Sequence, residues 1–193
     1  METILASPYL ILFARLTLGG VFVLSALTKL LDRAEAAAAF EGRAWLPPAL
    51  ARLGARVLPW AEALVGVLLV LGWEIRLAAL GAGILLVVFT TVVLGDLRGG
   101  RAMACHCFGR LSRETASPLI VVRNLVLLVL AGLLAWQPVP YIALDGLAAG
   151  SSTAPLPSVI DAVPVFFLAS AAVIAVVLGS SLVSTIRGFL RAF

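Results

Sequence analysis

The chain has 193 residues, 62% of them hydrophobic and only 12% charged, whereas a soluble domain carries about 25% charged residues. That excludes a water-soluble globule and identifies an integral membrane protein. Two cysteines are too few for a disulfide-stapled secreted scaffold. The formal net charge of +4 comes from Lys and Arg scattered between apolar blocks, which is not the footprint of a nucleic-acid binder.

A spanning helix needs about 20 mostly apolar residues. Glu2 sits where a secretory signal would carry its basic flank, so the first apolar segment is expected to stay in the mature protein. Five runs bounded by Pro, Gly or charge predict spans at about 8–31, 59–73, 76–95, 118–136 and 160–183. The expected fold is all-α, a polytopic membrane helical bundle forming one domain over residues 1–193. Only the stretch Gly72 to Arg76 separates the second span from the third, which makes them a tight helical hairpin. Residues 32–58, with the Ala36 to Phe40 run, Trp45 and the Pro47-Pro48 pair, read as one or two short helices lying in the interface and not as a sixth span. Residues 96–117 are polar and basic and hold both cysteines, while 137–159 are rich in Pro, Gly and Ser without any Lys or Arg.

Alternating membrane sides divides the charge unevenly. The connections 32–58 and 96–117 and the carboxy tail collect nearly all the Lys and Arg, and the opposite side receives essentially Arg76. The positive-inside rule then places the cysteine loop in the cytoplasm and the amino terminus outside. Trp45 and Trp60 on the basic side, with Trp73 and Trp136 on the other, fit aromatic belts at the two interfaces.

Both cysteines and the single histidine fall in one pentapeptide, Cys105-His106-Cys107-Phe108-Gly109. Residues two apart can reach disulfide geometry only if the chain bends so that both side chains point the same way, and Gly109 nearby helps a turn. So small a ring is strained, which makes the bond labile and oxidising, a redox centre and not a staple. Arg101 and Arg110, and His106 as a cation, favour the thiolate, while a neutral His106 can move the proton that accompanies each electron. The rival reading is capture of a soft metal ion by Cys105, His106 and Cys107. A closed zinc site lacks its fourth ligand, since no other Cys or His exists, but a soft two-coordinate ion remains an alternative.

Charges inside spanning helices are costly and are functional candidates by default. Lys29 lies about 3 Å, Glu62 about 5 Å and Arg123 about 8 Å inside the membrane from the side that carries the cysteine loop, and Arg15 about 10 Å in from the opposite side. Lys29 can snorkel to the interface, and Glu62 can pair with Lys29 or Arg123 in a purely structural role. Alternatively Lys29, Glu62, Arg123 and Asn124, with Phe108, form a substrate or quinone pocket in which cationic and amide donors meet the quinone carbonyls. Gly19-Gly20, Gly66, Gly81, Gly83 and Gly132 are read as sites of close helix approach.

The order Arg15, Lys29-Leu30-Leu31-Asp32, Glu62, then Cys-His-Cys-Phe-Gly at 105–109 and Arg123-Asn124 resembles the MauE branch of the MauE/DoxX membrane protein family over the first four helices, roughly Tyr9 to Trp136. The resemblance implies a four-helix DoxX-like core with the fifth helix added to it. It also implies a membrane thiol-disulfide oxidoreductase of the bacterial cytoplasmic (inner) membrane, linked to methylamine utilisation and to disulfide formation in the methylamine dehydrogenase small subunit. Electrons would pass between a separate thioredoxin-like or substrate partner and the membrane quinone pool, with Cys105 and Cys107 as the exchanging pair and no tightly bound metal. His106 stands where the family pattern has Gly or another small residue. Disulfide formation belongs outside the cytoplasm, so the resemblance and the charge partition place the cysteine loop on opposite sides. A soft-metal carrier using the same motif, and an assembly subunit in which the cysteines are dispensable, are the competing functions.

Overall fold

The structure, a computed structural model, describes residues 7–43, 45–99, 104–105, 114–115, 117–136 and 159–191. In chain order the elements are α1 (Pro8–Leu31), α2 (Arg33–Glu41), α3 (Pro48–Leu71), α4 (Ile75–Arg98), the two-residue strands β1 (Ala104–Cys105) and β2 (Glu114–Thr115), α5 (Pro118–Trp136) and α6 (Val159–Arg191). Four of the helices, α1, α3, α4 and α5, are long and apolar enough to cross a membrane, and α6 contributes the shorter apolar stretch Val163–Gly179. The fold is the expected all-α bundle of a multi-pass membrane protein.

Proline placement explains the main departure from the expected boundaries. The helix holding the second apolar run opens at Pro48, not at Pro59. A proline in the first turn gives up an N–H that would have had no partner anyway, which suits Pro48. Pro59 lies buried inside α3, where its ring removes a single ladder bond, a loss that membrane helices tolerate. The juxtamembrane connection is therefore α2 plus the first turns of α3. Asp32 starts α2 by accepting from the Glu35 amide at 3.2 Å, an N-cap of the ordinary kind.

Around α1 the rest of the bundle is assembled. It packs on α3, α5 and α6, while α4 packs mainly on α5 and also on α3. Ile11, Leu18, Phe22, Leu69, Leu86 and Leu127 fill the shared core. Leu64, Ile84, Val129 and Phe167 stay exposed on the outer faces, as residues facing hydrocarbon should. Gly19 and Gly66 set the α1–α3 spacing: a Cβ added to Gly66 would come within 2.8 Å of the Val23 backbone nitrogen. Gly72 turns α3 into α4 in the left-handed conformation, φ 70° and ψ 40°, which glycine adopts without Cβ strain. That reversal puts the end of α1, the first half of α3, the end of α4 and the start of α5 at one end of the bundle. The β1–β2 ladder, which pairs Cys105 with Glu114, belongs to the connection at that same end.

Candidate functional site

Residues four apart on a helix share a face, so Ser25 and Lys29 project together from the last turns of α1. Lys29 Nζ donates to Ser25 Oγ at 3.1 Å and to Glu62 Oε1 from the middle of α3. It also lies 4.7 Å from the centroid of the Phe89 ring on α4, a cation–π distance. Lys29 is 4% exposed and Glu62 0%; the ammonium does not snorkel to the surface, and the pair lies inside the bundle. On the neighbouring helices Asn124 Nδ2 donates to Thr90 Oγ1 at 3.4 Å. Ser25, Lys29, Arg123 and Asn124 line one cavity, closed on its apolar sides by Phe22, Leu86 and Phe89 among others.

Three of the expected pocket residues, Lys29, Arg123 and Asn124, thus meet around one space, and Glu62 joins them through Lys29. The size of that space limits its use. Its volume is about 30 Å³, against the roughly 150 Å³ of a cavity that admits a benzene ring, and a quinone ring does not fit it with the side chains as they stand. Of the remaining expected site residues, Cys105 is described only as part of the β1 backbone, and His106, Cys107 and Phe108 lie outside the described residues. Among the described residues no group of three or more His, Cys, Asp and Glu side chains forms a metal cluster. Arg15 lies at the opposite end, as expected, where its Nη2 donates to the Val70 carbonyl at 3.5 Å.

A second buried ion pair at the cysteine end was not expected from the sequence. Arg43 Nε donates to Asp96 Oδ1 at 3.2 Å and to Oδ2 at 3.0 Å, and the Trp45 indole N–H donates to Asp96 Oδ1 at 3.0 Å. The other guanidinium side donates to the Ala39 carbonyl. Gly95 leaves room for the Trp45 ring, which a Cβ there would meet at 2.8 Å. Asp96 sits in the last turn of α4, where the helix dipole disfavours an anion, and that misplacement was the signal available in advance. Ser25 was legible too, one turn before Lys29; nothing in the sequence singles out Phe89 or Thr90.

A lipid-embedded helical bundle with paired charges in its interior, carrying a polar connection with two cysteines at one end, defines a multi-pass membrane protein built around a buried polar site. Residues 7–137 match the family described as methylamine utilisation protein MauE. A curated relative, "Methylamine utilization protein MauE" from Paracoccus denitrificans, is 35% identical over 132 residues, which is 68% of this chain and 71% of the relative. The chain belongs to the MauE family. The match ends one residue after α5, which leaves α6 outside the shared core. No solved structure matches.

Proposed function

We propose that this chain is a thiol-disulfide oxidoreductase of the bacterial inner membrane, with Cys105 and Cys107 exchanging a disulfide with a separate thioredoxin-like or substrate protein, in a role serving methylamine utilisation. In the exchange a thiolate of one protein attacks a sulfur of the other's disulfide, a mixed disulfide forms, and a second thiolate resolves it. One disulfide is broken and one made, so electrons and protons balance between the partners. Returning the Cys105–Cys107 dithiol to the disulfide releases two electrons and two protons, and the acceptor class that the lipid setting and the family both suggest is a quinone. The cavity among Lys29, Arg123 and Asn124 is too small for its ring, so no step is routed through a quinone there.

The single observation that supports this reading best is that the cysteine segment connects the ends of α4 and α5 at the same end of the bundle as the buried charges. Cys105 lies across the ladder from Glu114. Arg101 and Arg110 lie within four residues of it or of Cys107, and nearby cations favour the thiolate. The test is alkylation of the purified protein before and after reduction. A two-thiol shift in the wild type, lost in Cys105→Ser and Cys107→Ser together with partner turnover, is expected. Unchanged turnover in both variants ends the proposal, and a stoichiometric soft metal lost in His106→Ala replaces it with ion handling.

A further inference from the structure

The corner between α2 and α3 encloses an open cavity of about 390 Å³, within the range of small-ligand sites, about 300–1,000 Å³. Glu41, Arg43, Leu46, Pro48 and Arg52 line it. Glu41 and Arg52 are both exposed, and although they share this cavity neither forms an ion pair with the other or with any other described residue. Arg43 differs from them. It is 5% exposed, and its charge is already matched by Asp96. Its Nε and Nη1 are spent on Asp96 and the Ala39 carbonyl, and Nη2 bonds to no described group. The cavity therefore offers one uncompensated positive charge and one uncompensated negative charge, held apart.

The helix ends repeat that division. Glu41 is the last residue of α2, where the helix dipole is negative. Pro48 is the first residue of α3, where the dipole is positive and no side chain caps the first turn. One wall suits an ammonium and the other a phosphate. Depth then narrows the class of ligand. With 24 residues, α3 is about 36 Å long against about 30 Å of hydrocarbon. When Leu71 meets one boundary, the first turn of α3 stands among the headgroups at the other, with Arg52 at its base. Leu53, Val57, Trp60 and Leu64 are exposed along the same helix, an apolar track for acyl chains that leads from Arg52 towards the membrane centre.

We infer that the α2–α3 corner binds the headgroup of a zwitterionic phospholipid with a primary ammonium, a phosphatidylethanolamine. The phosphate is held by Arg52 and the remaining Nη2 edge of Arg43, and the ammonium by Glu41. A choline headgroup has no N–H to give Glu41, and a glycerol headgroup has no cation, so the site favours ethanolamine over both. This binding is independent of the redox chemistry proposed above.

The experiment is native mass spectrometry of the full chain in detergent, titrated with phosphatidylethanolamine, phosphatidylcholine or phosphatidylglycerol of identical acyl chains. The wild type is expected to bind the ethanolamine lipid about tenfold more tightly than either of the others, the equivalent of one charge-assisted hydrogen bond. Glu41→Gln should abolish that preference without weakening the glycerol lipid, whereas Arg52→Gln should weaken all three; circular dichroism checks that both variants keep their helices. Equal affinity for the three lipids, tighter binding of the glycerol lipid, or an ethanolamine preference that survives Glu41→Gln overturns the inference, and the first two are read from the wild type alone. O-phosphoethanolamine, added to the chain in micelles free of phospholipid, should bind more than about tenfold more weakly for want of acyl chains. Equal binding would assign the cavity to a soluble phosphate ester and overturn the lipid assignment.

Discussion

Gly66 and Gly132 lie in spanning helices of the same bundle, yet replacing each by alanine should change stability in opposite directions. At Gly66 the new Cβ would stand 2.8 Å from the Val23 backbone nitrogen, 2.9 Å from Val23 Cγ2 and 3.0 Å from the Gly19 carbonyl oxygen. Two of those three atoms are backbone, so no rotamer change relieves the contact and α1 and α3 must separate. Overpacking of this kind costs about 1–3 kcal/mol, and the rigid neighbours put Gly66→Ala near the upper end. Against it stands the gain of about 0.5–1 kcal/mol from replacing glycine inside a helix. The net expectation is a loss of about 2 kcal/mol, using the same two magnitudes. At Gly132 a Cβ meets nothing within 4 Å; only the propensity gain remains, and Gly132→Ala should be stabilised by about 0.5–1 kcal/mol.

The comparison is made by equilibrium unfolding in mixed micelles, followed by tryptophan fluorescence, for which Trp60 in α3 and Trp73 just beyond it are suitable reporters. A difference of about 2.5–3 kcal/mol between the two variants is expected. Equal stabilities, or a Gly66→Ala protein more stable than Gly132→Ala, would refute the reasoning from close helix approach.

Lys29→Met leaves a fully buried carboxylate without its cation and should cost about 3–5 kcal/mol, whereas Lys29→Met with Glu62→Met should recover most of it; a double-mutant cycle in the same micelles measures the coupling. Asp96→Ala strands the 5% exposed Arg43 and the Trp45 indole N–H, with an expected loss of about 3–5 kcal/mol, while Asp96→Asn keeps an acceptor and should lose less by the same unfolding assay. A cysteine introduced as Trp73→Cys, in the α3–α4 turn, should react with a membrane-impermeant thiol reagent from the side opposite to Cys105 and Cys107. Labelling of all three from one side would dismantle the four-span arrangement. Under the proposed redox role, the face on which the native pair is labelled would also give the direction of electron flow, since disulfides are made outside the cytoplasm and reduced within it.

Apolar run length carried the spans at α1, α4 and α5 into view, because the bilayer imposes a length and charge is scarce between the limits. It misplaces the start of α3, because Pro59 reads as a boundary, whereas Pro48 stands in the first turn, where a backbone N–H would have had no partner. Lys29, Glu62, Arg123 and Asn124 were legible as intramembrane polar residues. Which of them pair was not, since Glu62 had two cations within reach and only the packing of α3 on α1 chooses Lys29. The glycines show the same limit. Composition makes Gly66 and Gly132 equivalent, yet one lies against a backbone and the other faces an open groove between α4 and α5, bordered by Gly83 and Leu128.

Among the described residues, three polar ties between elements lie at the end that carries the cysteine connection. Lys29–Glu62 ties α1 to α3, Arg43–Asp96 ties the α2–α3 linker to α4, and Asn124–Thr90 ties α4 to α5. At the other end Arg15 meets a backbone carbonyl of α3, and the core around it is apolar, with Ile11, Leu69 and Leu134 among its members. In hydrocarbon, lipid tails are as apolar as leucine, so apolar packing alone distinguishes helix registers weakly, and directional polar bonds distinguish them better. Arg43–Asp96 and Asn124–Thr90, placed in the last turns of α4 and the first turns of α5, fix the two helix ends that the cysteine segment joins.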